Sequence, residues 1–289
     1  MLFRSKAFDY ILGLYDVLRR IFGKRPEILL ETCASGGNRF DLGMLCFGAQ
    51  IWASDDTDPV ERLDIQDGLS YLYPLSAMGA HVSAAPHAQT LRHTPLSTRG
   101  NAAFFGVLGY ELDLKYLTSI DEKDIAAQIE FYKRHRRLFQ FGRFARLPAP
   151  EGETRWQVSD GGTTAAGMFY RLFHAAPGMD ELRLLGLDPS ARYTVTARGQ
   201  NLRVGDFGEL LRYVTPVKLN PRGMMVSAAD ALYAMPDCAE TEEASGAALM
   251  SGLRLANRFL GTGYNDELRM LRDFGSRVYL IRRLDGGRT

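Results

Sequence analysis

The sequence predicts an α/β unit on parallel strands followed by an antiparallel β-sandwich, and three observations carry that prediction. Two short apolar runs, Ile28-Leu29-Leu30 and Gln50-Ile51-Trp52-Ala53, each lead into a cluster of small, polar and acidic residues. Buried parallel strands read this way, and they carry functional groups at their carboxyl ends. The order that follows, helix, strand, strand-helix, strand, strand, helix, is that of one half of a β/α barrel, four strands rather than eight. Past Leu147-Pro148-Ala149-Pro150-Glu151-Gly152 the pattern changes to short alternating stretches separated by Gly, Pro, Asp and Asn, which is the spacing of a sandwich. The domains are therefore expected at 1–147, a partial (β/α)8 barrel, and 148–289, the sandwich.

Each element has a local reason. Phe8, Ile11, Leu12, Tyr15, Leu18 and Phe22 recur at three- and four-residue spacing, so residues 3–22 are an amphipathic helix, which Gly23 ends ahead of Pro26. Glu27–Glu31 and Ala49–Ala53 are the first two strands, joined through a short segment, Phe40–Leu45. Asp58-Pro59 supplies an N-cap and a proline at the first helical position, and Val60, Leu63 and Ile65 follow on that helix. Gly79–Ala84 is a third strand, Ala102–Leu108 with Tyr110-Glu111-Leu112 a fourth, and Asp121–Gln140 a helix. In the second domain, strands are expected at Thr154–Ser159, Ala166–His174, Glu181–Gly186, Arg192–Ala197, Gly223–Ser227 and Arg277–Arg282. Residues 244–260 fit helix or strand equally, and there is no internal repeat.

Composition narrows the function. The 289 residues are 46% apolar, enough for a sizeable core, and 35 Lys+Arg against 34 Asp+Glu give a net charge of +1. No general field draws nucleic acid or an anionic membrane to such a chain. The Lys133-Arg134-His135-Arg136-Arg137 run reads as the solvated end of a helix. Cys33, Cys46 and Cys238 are too few and too scattered for a disulfide framework or a zinc site, which fits a reducing cytoplasm. Charges interrupt the N-terminal stretch, which reads as neither signal peptide nor membrane span.

Asp55, Asp56 and Asp58 at the end of the second strand are the strongest chemical signal. Carboxylates this close repel, which favours keeping the most buried one protonated, as a general acid requires. The same residues also read as a helix cap with solvated neighbours, or as ligands of a divalent metal. Trp52, just before them, reads as a wall for a sugar ring or as core. Cys33-Ala34-Ser35-Gly36-Gly37 is the second signal: paired glycines let backbone N–H groups approach a ligand, and Arg39 with Asp41 can brace that turn. Cys33 has no base at a motif-like spacing and reads as a small contact rather than a nucleophile. His81, His87 and His93 read as core or loop hydrogen bonding, and no phosphate-binding glycine loop is present.

These motifs resemble a family. ETCASGGNRFDLGML, then QIWASDDTDPVERLDIQDGLSYLYPLSAMGAHVSAAP, then TRGNAAFFGVLGYELDL, in that order and spacing, resemble the later part of the catalytic barrel of microbial α-galactosidases of glycoside hydrolase family 36. FLGTGYNDELRMLRDFGSRVYLI resembles the family's C-terminal β-sandwich. The resemblance implies that residues 1–147 are about strands 5 to 8 of the barrel. It implies a retaining hydrolase releasing terminal α-linked galactose from melibiose- and raffinose-type sugars, with no metal or organic cofactor. Two carboxylates roughly 5–5.5 Å apart then do the chemistry, one attacking the anomeric carbon and one acting as acid and base. It further implies that Asp55 is the acid/base and that Cys33 and Gly36 contact the sugar; Trp52, from its place before the acids, is expected as a wall of the same pocket. Arg39, Asp56 and Asp58 are expected to orient these groups.

The family's nucleophile, an Asp in a Lys-Trp-Asp motif at the end of the fourth barrel strand, has no counterpart in residues 1–30. The chain is therefore expected to be the C-terminal part of such an enzyme, inactive alone and dependent on the missing N-terminal half or on self-association. The alternative expectation is a non-catalytic fragment or carbohydrate-binding remnant.

Overall fold

The computed structural model describes residues 2–33, 40–175, 178–216, 218–259, 265 and 267–284. Helix α1, Leu2–Phe22, precedes a parallel unit of β1 Glu31–Thr32, α2 Leu42–Leu45, β2 Gln50–Trp52, α3 Pro59–Leu69, β3 Met78–Ser83, α4 Leu96–Ala103, β4 Val107–Glu111 and α5 Ser119–Phe141. The sheet order is β1-β2-β3-β4, every pair parallel, with Glu31 opposite Gln50, Trp52 opposite Gly79 and His81 opposite Gly109. All four carboxyl ends thus lie along one edge. Local chemistry sets the helix starts. Asp58 caps α3 ahead of Pro59, and Thr118 with Asp121 forms a capping box at α5, each cap contributing about 1 kcal/mol.

The chain then continues as β5 Arg143–Arg146, β6 Glu153–Ser159, β7 Thr163–Tyr170, β8 Glu181–Leu182, β9 Arg192–Ala197, β10 Asn201–Leu202, α6 Leu211–Val214, α7 Met224–Leu232, β11 Met235–Pro236, β12 Thr241–Ser245, α8 Gly246–Ser251, β13 Leu253–Arg254 and β14 Ser276–Arg283. Six of these strands form one antiparallel sheet, β12-β9-β14-β7-β6-β5, and two further pairs, β10-β11 and β13-β8, are short. The sheet differs from an ordinary sandwich in what covers it. Trp156, Val158, Phe169, Val278 and Leu280 on one face pack against Phe104, Phe105 and Phe139 of the parallel unit, so helices rather than a second sheet close that side. Met168, Val195, Tyr279 and Ile281 on the other face pack against Leu182, Leu184, Leu249 and Leu271. With both faces covered, β7 and β14 read as continuous apolar runs rather than as alternation.

Three expected strands are corrected. The first is Glu31–Thr32 rather than Glu27–Glu31: the run Ile28-Leu29-Leu30 precedes it as irregular chain, with Ile28 and Leu29 exposed rather than buried. The fourth strand begins at Val107, because residues up to Ala103 form α4. Gly223–Ser227 is not a strand: Met224–Leu232 is helical, in keeping with the Met, Ala and Leu content of that stretch. The ambiguous segment 244–260 contains the end of β12, then α8, then β13.

The two units are tied by polar as well as apolar contacts. Arg146 donates to Asp67 Oδ1 at 2.7 Å and lies 3.5 Å over the Tyr71 ring, while Trp156 Nε1 donates to the same carboxylate at 3.2 Å. Asn101 Nδ2 donates to Ser276 Oγ at 2.8 Å. Among the described residues no helix is long and apolar enough to cross a membrane.

Candidate functional site

The helices α3 and α4 cover one face of the parallel sheet, where Ile51, Met78, Ala80 and Val82 are buried. Alternation sends Trp52, Gly79, His81, Ser83, Gly109 and Glu111 to the other face. Trp52 and His81 stack there, ring centroids 3.7 Å apart and planes 30° from parallel. Two glycines make room for the imidazole. A Cβ on Gly109 would lie 2.6 Å from His81 Cδ2, and one on Gly79 would lie 3.1 Å from Cε1 and 2.9 Å from the Ile51 carbonyl oxygen. Burial, aided by the Arg62 charge, pushes the imidazole down to about 4, so His81 is neutral near pH 7. Beside it, Gln50 Nε2 donates to Glu31 Oε1 at 2.8 Å.

The Ser54–Asp58 loop leaves β2 above this face, and its geometry is fixed at almost every residue. Asp56 N–H donates to Ser54 Oγ at 3.1 Å and Asp58 N–H to Asp56 Oδ1 at 3.1 Å. Thr57 is buried, its hydroxyl 3.1 Å from His87 Nε2 and its carbonyl accepting from Ser83 Oγ at 3.0 Å. Asp58 is fully buried; its Oδ1 accepts from Val60 N–H at 2.8 Å, and its Oδ2 accepts from the Thr90 hydroxyl and from Arg92 Nη1 at 2.7 Å. Arg62, one turn into α3, donates Nε to Asp56 O at 2.6 Å, Nη2 to Ser54 O at 2.6 Å and Nη1 to Gly79 O at 2.9 Å. Asp55 is the exception: its side chain is exposed and makes no hydrogen bond or ion pair among the described residues.

This arrangement sorts the three acids. Asp58, the most buried, is an N-cap whose charge Arg92 matches, and Asp56 is spent on the loop's own backbone. Asp55 is left as the carboxylate available to a ligand. Among the described residues no group of three or more His, Cys, Asp or Glu side chains is placed to hold a metal ion. Asp55 and Glu111 both lie close enough to Arg62 for their charges to raise its pKa against the effect of burial, which dominates and brings it down to about 10.

Of the residues singled out in the sequence, Cys33, Trp52, Asp55, Asp56 and Asp58 come together at the carboxyl edge of neighbouring strands, with Cys33 exposed just past β1. Gly36 and Arg39 lie outside the described residues. Sequence reasoning missed Arg62, Arg92 and the Trp52–His81 stack. Arg62 left one signal, a charged residue between Val60 and Leu63 on the apolar side of α3; Arg92 left none. A cleft of about 710 Å³ opens beside Arg92, walled by Phe173, Phe207, Phe259 and Phe274.

Comparison with known proteins gives a consistent result over nearly the whole chain. Residues 3–142 match the family model Melibiase, and residues 153–281 match the Glycosyl hydrolase family 36 C-terminal domain. Alpha-galactosidase AgaA of Geobacillus stearothermophilus is 47% identical over 200 residues, which is 68% of this chain and 27% of that protein. Alpha-galactosidase 1 of Pediococcus pentosaceus is 46% identical over 188 residues, 64% of this chain and 26% of the relative. The crystal structure of the alpha-galactosidase from Lactobacillus brevis superposes with a TM-score of 0.74 at 34% identity, covering 97% of this chain and 32% of that one. An AgaA variant crystallised in complex with raffinose gives the same TM-score of 0.74. The chain thus spans about a quarter of the length of the curated relatives it matches.

Proposed function

The chain belongs to glycoside hydrolase family 36, and from that premise we propose that it is the acid/base-bearing part of a retaining α-galactosidase acting on terminal α-linked galactose in raffinose- and melibiose-type sugars. The observation that carries this reading is the isolation of Asp55: an exposed carboxylate with no partner among the described residues, on a loop whose neighbours are all pinned. Such a group can donate a proton to a leaving glycosidic oxygen and then take one from water. The parallel sheet β1–β4 is read as an arc of an eight-stranded barrel, about strands 5 to 8 within residues 1–147, with 148–289 as the C-terminal domain. Cys33 and Gly36 line the galactose pocket, Trp52 walls it, and Arg39, Asp56 and Asp58 support the turns. In this reading the attacking carboxylate is supplied from outside residues 1–289, and the setting is cytoplasmic.

A second reading is a non-catalytic fragment or carbohydrate-binding remnant, and one feature, an exposed apolar surface, bears on both readings. Phe8 and Leu12 on α1 are 63% and 51% exposed, and Leu29 is 95% exposed. With Ile11, 38% exposed, Phe8 and Leu12 recur at three- and four-residue spacing and so share one uncovered face of α1. Such a surface should therefore associate with a complementary barrel half or with a second copy of itself. The test is release of p-nitrophenol from its α-galactoside by the chain alone and mixed with a separately expressed N-terminal half carrying the nucleophile. Turnover only in the mixture, abolished by Asp55→Asn with folding intact, is the expected result. Association of the halves without turnover would leave the non-catalytic fragment.

A further inference from the structure

Arg62 is 1% exposed and sits in a place where an arginine is costly on every local count. It lies one turn inside the positive end of the α3 dipole. Among the described residues no carboxylate is within ion-pairing distance of it. What offsets those costs is a set of three backbone carbonyls, and two of them belong to the residues on either side of Asp55. The Ser54 carbonyl lies in the peptide plane that enters Asp55, and the Asp56 carbonyl lies in the plane that leaves Asp56. One rigid guanidinium therefore fixes both planes and ties them to Gly79 of β3. The Asp55 Cα is suspended between two clamped points while its side chain stays free.

We infer that Arg62 is the positioning residue that aims the Asp55 carboxylate, an inference that rests on the proton-transfer role proposed for Asp55. The geometry needs an arginine. A lysine has three donors but carries them on one flexible nitrogen, so it does not reproduce three bonds made from the three separate nitrogens of a planar fork. Misplacing a catalytic group by about 1 Å costs on the order of 100-fold in rate, so the clamp belongs to catalysis as well as to folding.

Leaving-group dependence separates positioning of the acid from general damage. Cleavage of melibiose needs a proton on the departing oxygen, whereas a 2,4-dinitrophenyl galactoside departs without one. In the mixture with the N-terminal half, Arg62→Lys should lower kcat/KM for melibiose by about 100-fold and for the dinitrophenyl substrate by less than about threefold. Equal losses on both substrates, or no loss, would overturn the inference. A wild-type mixture that does not turn over overturns the proposed activity instead, and amide hydrogen exchange in this chain alone then decides the clamp. Arg62→Lys should speed exchange across residues 54–58 by at least about tenfold while that of β3 stays unchanged; unchanged exchange across 54–58 would overturn it. Should Arg62→Lys fail to fold, Arg62→Gln, which leaves no buried charge, is read in the same two assays.

Discussion

Replacing Arg92 by Met tests whether the buried cap at Asp58 is held by charge. The Arg92 guanidinium meets Asp58 Oδ2 at 2.7 Å, the Asp58 side chain fully buried and that of Arg92 24% exposed, and reaches Glu61 Oε1 at 3.0 Å. Burial alone would lower the Arg92 pKa, but hydrogen bonds to Asp58 and Glu61 outweigh it and leave it raised. Removing one partner of a fully buried pair costs about 3–5 kcal/mol, while an exposed pair is worth at most about 1 kcal/mol. Asp58 keeps the Val60 N–H and the Thr90 hydroxyl, so Arg92→Met should cost about 2–3 kcal/mol. Asp58→Asn should cost only about 1 kcal/mol, because asparagine caps a helix as well as aspartate does and Arg92 retains Glu61. The double variant isolates the pair from the Glu61 contact and from the Phe274 ring, 5.3 Å from the guanidinium carbon. A coupling of about 2 kcal/mol is expected from urea midpoints at unchanged slope. A coupling near zero would refute the reasoning and leave Asp58 as an ordinary cap.

Two further outcomes follow from the same structure. His81 titrates at about 4 in the fold against 6.5 unperturbed, so the unfolded chain takes up the proton first as pH falls and stability declines between pH 6.5 and 4. For this half-buried ring the decline is about 1–2 kcal/mol, and His81→Phe, which keeps the stack on Trp52, should flatten it; equal urea midpoint shifts in both proteins between pH 7 and 4.5 would count against the assignment. A Cβ on Gly246 would lie 2.0 Å from the Asp188 carbonyl oxygen, so Gly246→Ala should cost about 3 kcal/mol. Gly13→Ala on α1, where nothing lies within 4 Å, should instead gain up to about 1 kcal/mol from helix propensity; the same urea midpoints compare the two.

What the sequence showed depended on the range of the interaction. The Asp58-Pro59 start of α3 was legible because a cap and its recipient N–H are two residues apart. The loop role of His87 was legible in kind, though not its partner Thr57, thirty residues away. The α4 segment was misread because Ala102, Ala103, Phe104 and Phe105 form a continuous buried apolar run across the end of α4, and such a run has no amphipathic period to distinguish helix from strand. What covers one face of the six-stranded sheet was illegible for a related reason. Residues such as Val278 and Leu280 show that a face is buried, not whether a strand or the ring of Phe105 buries it. Arg62 and His81 were out of reach because their meaning lies in neighbours on other elements: the Gly79 carbonyl for one, Trp52 and the missing Cβ of Gly109 for the other.

The bracing of the acidic loop comes from the side of the sheet that α3 and α4 cover. Arg92, which holds Asp58, leads by two residues into Pro95 and α4, and α4 is bonded to β14 through Thr98 and Asn101 on Ser276. Asp67 at the far end of α3 is bonded to Arg146 of β5 and Trp156 of β6. Helix α3 is thus anchored to the antiparallel sheet, and through Arg62 it carries the backbone around Asp55. None of these contacts involves the open face where Trp52 and His81 lie or the exposed stripe of α1. On the proposed reading the rest of a barrel would bring the second carboxylate to that face, and the loop that carries Asp55 is already set by contacts on the other side of the sheet.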